Sequence, residues 1–521
     1  MNRLIWHLRS LSFLQSAAVR MLFESPSAFL NNAQEKLRQK GIFPASLTIK
    51  FPGFKSSCVD TLIYQGELSR ALNSLEAQNG FSRIRLRAKR RKLVGQLKRM
   101  YSEPIAGKSK IGKRSEPGNA GSQIRALYFV NNSLPYTQSG YTLRTEKLLT
   151  ALVKQGTKIN AVTRLGYPLV IGGWPRRRTE SIGGIEYVRI VPWYYRASER
   201  ARFEQTVAAI VKESIERRIQ VLHTTTDYQN GLIVAEAARR LGIPWVYEVR
   251  GQLESTWLSR FPEELQHLYS KSEFYSKTSQ KELEIMKAAN AVITLSEVSR
   301  QELHSRNVDI EKIFVVPNAI DQYEVVTRYD KTSLRSELGI PARPGDIMFG
   351  TVSSIVDYEG LDTAVLSLKY LPDNYKLVIV GDGVARPAIE HLVNDENLQD
   401  RVYFAGRQSN DAIWKWYGLL DVFVVPRRDT QVCRVVTPIK TLMAQAMEIP
   451  VVCSDLAALR EVATGAVFVV PEEPSDLAAG VKVALKNRDG VIEGKTSVAA
   501  KTWENNATIV ERIYIDLLNN D

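Results

Sequence analysis

The feature that most constrains this chain is an alternation that runs through it twice. Seven apolar, β-rich runs come first: IRALYFV (124–130), KINAVTR (158–164), IEYVRIV (185–191), IQVLHTT (219–225), PWVYEV (244–249), AVITL (291–295) and IFVVP (313–317). Helical segments lie between them, for example Tyr141–Lys154, Arg200–Arg217 and Gly231–Leu241. A strand that is apolar on both faces must be covered on both faces, and intervening helices supply that cover, so the pattern predicts a parallel sheet with helices on each side. The alternation stops across Pro317–Arg343 and then restarts with DIMFGTV (346–352), YKLVIVG (375–381), RVYFAG (401–406), DVFVVP (421–426), IPVVCS (449–454) and AVFVV (466–470). A last helix is expected over Thr502–Leu518. The fold class is therefore α/β: two Rossmann-like, doubly wound parallel-sheet domains facing a cleft, preceded by a mainly helical extension. Ligands of such sheets bind beyond the carboxyl ends of the strands, and the chemistry is expected there.

The N-terminal part differs in kind. Of the 70 Lys and Arg in the 521-residue chain, 22 lie in residues 1–120, against 7 of the 56 Asp and Glu; the rest then carries 48 against 49. The whole basic excess sits in the extension, and the body is not built to bind a polyanion. Residues 1–22 predict an amphipathic helix, with Leu4, Ile5, Leu8, Leu11, Phe13 and Leu14 near helical spacing. Further helices are expected over Ser27–Lys40, within 60–79, and from the basic run Arg83–Lys92 to about Tyr101. Ile105–Ser122 is poor in apolar residues and rich in Gly, Ser and Lys, which predicts a flexible linker. The expected boundaries are 1–104, 105–122, 123–325, 331–500 and a helix at 501–521 that crosses back to the first sheet domain.

Three cysteines exclude a disulfide framework, none forms a CxxC pair, and five scattered histidines offer no zinc spacing. No run of 18 apolar residues exists, and Arg3, His7, Arg9 and Arg20 interrupt the N-terminal apolar stretch, so neither a spanning helix nor a secretory signal is expected. The location expected is cytoplasmic. The basic extension adds an expected peripheral contact with anionic lipid on the inner face of the plasma membrane. Nucleic acid is disfavoured, because few aromatics interleave with RIRLRAKRRK (83–92).

The segment VVPRRDTQVCRVVTPIKTLMAQAMEIPVVCSDLAALREV (424–462) resembles the donor-site segment of the family 4 glycosyltransferases. More narrowly, it is similar to a bacterial branch reading close to TPLKPLEAMAxGxPVVASDLPALRE. NNSLPYTQSGYTLRT, VTRLGYP, YEVRGQLE, VITLSEVSRQEL, VVPNAID, SSIVDYEGLD and LVIVGDG agree in order, and the similarity covers about residues 123–519. The resemblance implies the two-domain glycosyltransferase fold, with an acceptor-side first half and a donor-binding second half. It implies retaining sugar transfer from a nucleotide-sugar donor to a glycan or lipid-linked acceptor, in surface polysaccharide or glycolipid synthesis. No cofactor and no metal are expected, and no DxD sequence occurs.

Candidate site residues follow from the matched positions. Gly140, opening a helix after the first strand, suits backbone approach to an anion or a plain strand-to-helix turn. Arg250 stands where many relatives place a histidine against the donor sugar. It is the catalytic candidate, with an ion pair to Glu248 or Glu254 as the structural alternative. Gly381 lies in a GxG that is a weak phosphate signal alone. Arg407 occupies the place whose backbone usually meets the nucleobase. Arg427, Arg428, Arg434 and Lys440 surround the donor segment, where cations would stabilise a diphosphate leaving group or merely form a solvated basic surface.

The departures are specific. Met443 stands where the branch keeps the glutamate that grips the ribose, and Val435 where most relatives, though not the branch, have a first glutamate. Glu448 replaces a glycine and Thr441 a proline. Ser353 and Glu359 stand, as in the branch, where many relatives have an arginine and a lysine that hold the diphosphate. Losing a charged acceptor costs about 1.5–3 kcal/mol, so an inactive homologue serving as partner or regulator is the alternative function. A nucleotide-sugar epimerase is a further one.

Overall fold

A computed structural model describes residues 2–24, 58–77, 83–103, 123–321, 330–341 and 343–519. The expected helix Ser27–Lys40 and linker 105–122 lie outside the described residues. The chain divides into two compact units, Met1–Ile293 with Glu511–Asp521, and Thr294–Val510.

The first sheet contains β1 (Arg125–Val130), β2 (Lys158–Thr163), β3 (Thr179–Ile182), β4 (Ile185–Arg189), β5 (Val221–Thr225), β6 (Trp245–Glu248), β7 (Ala291–Thr294) and β8 (Ile313–Val315). Its order is β3-β4-β2-β1-β5-β6-β7-β8. The central strands are buried along nearly their whole length, as the continuous apolar runs require. One pair departs from the parallel expectation: β3 runs antiparallel to β4. The two are joined by Gly183 and Gly184, both at positive φ (58° and 81°). A two-residue hairpin loop with both residues left-handed matches strand twist, and glycine adopts it without steric cost. The helix Gly140–Lys154 starts by capping. Ser139 Oγ accepts from the Thr142 N–H, and Thr142 Oγ1 accepts from the Ser139 N–H at 2.8 Å.

The N-terminal helices pack on this unit. Asn2–Glu24 buries Trp6, Phe13 and Ala17 against Leu169 and Val191. Trp6 Nε1 donates to the Pro175 carbonyl at 3.0 Å. Its other face leaves Leu4, Ile5, Leu8, Leu11 and Val19 exposed. In the helix Arg83–Met100, Leu93, Leu97 and Met100 are buried, while Lys89 pairs with Asp60, Arg90 with Glu76 and Arg99 with Glu199. Part of the basic excess is thus matched by carboxylates of the fold.

The second unit holds β9 (Ile347–Val352), β10 (Tyr375–Val380), β11 (Val402–Gly406), β12 (Val422–Val425), β13 (Val451–Ser454) and β14 (Val467–Val469). The order is β11-β10-β9-β12-β13-β14, with every pair parallel. Two apolar clusters include residues of its strands and helices, one with Phe423, Val425 and Leu442, the other with Phe349, Leu377 and Val452. The last helix, Trp503–Asn519, contributes residues to both units, and Tyr514 is fully buried in the first.

Glu448 shows what a lost glycine costs. It follows the helix Lys440–Ala446 with φ 58° and pairs with Lys495 across the surface. The left-handed conformation costs a side-chain-bearing residue roughly 1–2 kcal/mol, while an exposed pair contributes about 0–1 kcal/mol. Glu448→Gly should therefore raise unfolding stability by about 0.5–1 kcal/mol, read from the urea midpoint. A lower midpoint would show that the surface pair outweighs the backbone strain.

Candidate active site

Each unit holds a buried carboxylate at the carboxyl ends of its strands, and one or more of the expected cations pair with it. In the first unit this is Glu248, at the end of β6. Arg144 Nε meets its Oε1 at 2.8 Å and Arg250 Nη2 its Oε2 at 2.6 Å; the Tyr128 hydroxyl donates to the same Oε2. Burial alone would raise the Glu248 carboxyl, but Arg250 and Arg144 outweigh it and hold it well below the usual carboxylate range. Arg250 Nη1 also donates to the Tyr141 carbonyl at 2.8 Å and to Thr145 Oγ1 at 2.6 Å. The ion pair with Glu248 that the sequence left open is therefore formed. Arg250 is only 4% exposed, and both Nη atoms already have protein acceptors. Beside it, His223 Nδ1 lies 2.7 Å from the Tyr514 hydroxyl, and burial pushes this imidazole down to about 3. It is neutral at physiological pH. Gly140 opens its helix with no protein atom within 4 Å of where a Cβ would stand. The Ser139 cap makes the turn, and no protein neighbour demands the glycine.

In the second unit, strand order reverses between β9 and β12, the switch point where doubly wound sheets bind ligands. The chain leaving β9 supplies Glu359, and the chain leaving β12 supplies Arg427. Arg427 Nη2 meets Glu359 Oε1 at 3.0 Å, and Lys440, first residue of its helix, pairs with Glu359 Oε2. All three side chains are buried. Burial alone would raise Glu359, yet Arg427 and Lys440 bring it down to about 2. Lys440 itself is pushed down by burial, against the pull of Glu359.

Further out, Arg428 bridges Asp362 and Glu472, the latter at 3.1 Å. Arg434 makes a two-pronged pair with Asp429, at 2.5 and 2.8 Å. The basic residues expected around this segment are thus ion-paired rather than merely solvated. Arg427, Arg428, Arg434 and Lys440 are matched by Glu359, Asp362, Asp429 and Glu472, four against four, because a positive group near a sheet end recruits any carboxylate that reaches it.

The remaining candidates are placed as follows. Gly381 has φ 136°, and a Cβ there would stand 1.9 Å from the Ser353 carbonyl oxygen. Close backbone approach between adjacent strand ends accounts for the glycine. Ser353 is part-exposed just after β9, with its N–H donating to the Val380 carbonyl at 2.9 Å. Arg407 is exposed just after β11. Met443 is partly buried and packs on the apolar cluster of Leu442 and Ala444. Ser353, Gly381, Arg428 and Lys440 therefore lie in the segments that leave β9, β10 and β12, and Arg250, after β6, reaches the Tyr141 carbonyl next to Gly140. Sequence reasoning missed Arg144 and Asp362 as partners.

Two family models match the chain, "Glycosyl transferase 4-like domain" over residues 139–319 and "Glycosyl transferases group 1" over 347–487. Together they span well over half of it, one on each sheet. An uncharacterised glycosyltransferase of Methanocaldococcus jannaschii is 24% identical, covering 73% of this chain and 95% of its own. Sucrose-phosphate synthase from Thermosynechococcus elongatus superposes with a TM-score of 0.61 at 20% identity, over 77% of this chain and 100% of its own. Anabaena HepE in complex with UDP and glucose gives 0.55 at 14% identity, over 75% and 98%. The chain is a glycosyltransferase of the family 4 type, with the two-domain fold of that class.

The buried cluster yields a test. Removing one partner of a buried ion pair costs about 3–5 kcal/mol, whereas an exposed pair is worth about 0–1 kcal/mol. Glu359→Gln should destabilise by several kcal/mol in urea unfolding at pH 7, and Glu396→Gln, which breaks only the surface pair with Lys369, by less than about 1 kcal/mol. The folded-state pKa of Glu359 is depressed, so its contribution is present above the ordinary carboxylate value. It fades as pH falls from there toward about 2, and the gap between wild type and Glu359→Gln should narrow over that window. Equal costs for the two variants would show that the cluster contributes nothing.

Proposed function

We propose that this enzyme is a retaining, metal-independent transferase that moves a sugar from a nucleotide-sugar donor to a glycan or lipid-linked acceptor of the cell surface. The observation that carries the reading is the match of each glycosyltransferase family model to its own parallel sheet, in family order. The donor half of the proposal is supported by the cluster at the β9/β12 switch point. Arg427 and Lys440 outnumber Glu359 there, leaving one buried positive charge at the strand ends. Charge that develops on a departing diphosphate is stabilised by fixed cations in a partly dry site. In a retaining transfer of this kind a donor phosphate oxygen takes the acceptor's proton, so no protein general base is required. The neutral, deeply buried His223 and the ion-paired Arg250 suit a positioning role. The relative crystallised with UDP and glucose makes a uridine nucleotide the first donor to try.

Met443 favours a second reading, an inactive homologue that serves as partner or regulator. A thioether cannot accept the two ribose hydroxyls. Sugar transfer and donor hydrolysis, measured with uridine and guanosine diphosphate sugars, separate the two. Under the enzyme reading Met443→Glu keeps or raises turnover. A protein without turnover in both forms, and without stabilisation by any nucleotide, is the inactive homologue. A sharp loss on adding the glutamate would show that Met443 packs in a remodelled site, as its contact with the apolar cluster allows.

We also propose that the exposed face of Asn2–Glu24 rests on an anionic membrane. Leu4, Leu8, Leu11 and Val19 form an apolar stripe on a helix whose other face is buried in protein, and no described helix is long and apolar enough to cross a membrane. Each nearby Lys or Arg adds about 1 kcal/mol of attraction to an anionic leaflet. The full chain should sediment with phosphatidylglycerol vesicles at low salt and less at high salt. Leu8→Ser with Leu11→Ser should bind at least several-fold less. Unchanged sedimentation of that variant would overturn the idea.

A further inference from the structure

The first sheet has a switch point of its own, and a cavity sits there that the donor chemistry does not use. Strand order reverses between β1 and β5. The chain leaving β1 brings Asn131, the chain leaving β2 brings Arg164, and the chain leaving β5 brings Asp227. With Glu199 and Arg202 they line a cavity of about 360 Å³. That volume lies near the lower end of the range for small-molecule sites, about 300–1,000 Å³.

Two of its walls depend on the N-terminal helices. Arg99, from Arg83–Met100, lines the cavity directly. Tyr195, another lining residue, is fixed by Asn2–Glu24. Phe13 packs edge-on against its ring at 5.5 Å between centroids, and its backbone N–H donates to Ser16 Oγ at 2.9 Å.

The charges around the cavity are unevenly answered. Arg99 pairs with Glu199, and Arg202 lies 3.8 Å from the same carboxylate. Asp227 caps the helix Tyr228–Leu241, accepting from the N–H groups of Gln229 and Asn230 at 3.1 and 3.4 Å. Arg164 is different. Among the described residues no carboxylate forms an ion pair with it, although Asp227 across the same cavity attracts it from further off. Its Nη2 donates to Asn132 Oδ1 at 3.3 Å, its Nε is buried with no acceptor, and burial pushes its pKa down. A partly buried guanidinium whose Nε is buried without an acceptor is a costly arrangement unless an anion arrives, and its planar fork matches phosphate or carboxylate in two-pronged fashion. Tyr195 and Phe203 add flat faces, and Asn131 and Gln229 add side-chain amides. Such a lining suits the C–H faces and hydroxyls of a sugar better than an apolar ligand.

We propose that this cavity binds a sugar-sized, polyhydroxylated ligand carrying one phosphate or carboxylate, whose charge Arg164 meets, and that the N-terminal helices form a wall of the site. The assignment deepens the glycosyltransferase reading, on which it rests only for the ligand's role as acceptor. The extension is then part of substrate recognition as well as a membrane contact.

Calorimetric titration of the full chain with glucose 6-phosphate, glucuronate, glucose and inorganic phosphate tests it. The expected result is binding of glucose 6-phosphate or glucuronate at least tenfold tighter than glucose. Arg164→Gln should weaken the anionic sugars tenfold or more, Arg164→Lys should restore part of that loss, and Arg99→Gln should weaken them several-fold. UDP is titrated in parallel. Binding of UDP that survives Arg164→Gln shows that the variant is folded, and a protein that binds the anionic sugars but no nucleotide would sink the transferase reading while supporting this site. Equal binding of charged and neutral sugars, no binding of any probe, or no effect of Arg164→Gln overturns the proposal. Phosphate bound as tightly as glucose 6-phosphate overturns the sugar part of it.

Discussion

A charge taken out of water must be answered inside the fold, and both sheets meet that demand at the carboxyl ends of their strands. Glu248 is held between Arg144 and Arg250, and Glu359 between Arg427 and Lys440. Each ion loses several kcal/mol of hydration on burial, so the arrangement persists only where Coulomb attraction and hydrogen bonds replace the water. The partners are far apart in the chain: Arg144 and Glu248 by 104 residues, Lys440 and Glu359 by 81. The clusters therefore tie together the helix after one strand and the chain leaving another. Those segments are the ones that face ligands in a doubly wound sheet.

The architecture was legible because it rests on local patterns. Continuous apolar runs such as IRALYFV and DVFVVP could only be buried parallel strands, and they became β1 and β12. The hairpin of β3 and β4 was not read, although its Gly183–Gly184 turn is a local signal; the run before it, TESI, has too little apolar character to announce a strand. The site was less legible. Residue types and motif order pointed to Arg250, with nearby Glu248 as one of two candidate partners, and to Arg428 and Lys440, but nothing local states which distant acid will neutralise a cation. Glu359 and Asp362 reach their cations across 68 and 66 residues.

The N-terminal region shows the same limit from another side. Its excess of basic residues suggested a solvated or lipid-facing extension. In the fold, Lys89, Arg90 and Arg99 find acids, and Asn2–Glu24 turns Phe13 inward. An amphipathic pattern predicts one buried face, and here the helix has apolar residues on two. Trp6, Phe13 and Ala17 pack on protein while Leu4, Leu8 and Leu11 remain in solvent. Sequence periodicity cannot say which of two apolar faces a protein will cover, because both repeat at helical spacing.

The electrostatics of the donor segment depend on depth more than on number. Counted by formal charge, Arg427, Arg428, Arg434 and Lys440 are cancelled by Glu359, Asp362, Asp429 and Glu472. The cancellation is not uniform in space. The buried trio carries an excess of one positive charge, and the exposed rim of Arg428, Asp362 and Glu472 an excess of one negative charge. An exposed charge acts through water and salt, whereas a buried one acts through a medium whose effective dielectric constant is about 20 rather than 80. At equal distance the buried excess is felt roughly four times more strongly. A segment that is neutral by count therefore presents a positive potential at the strand ends.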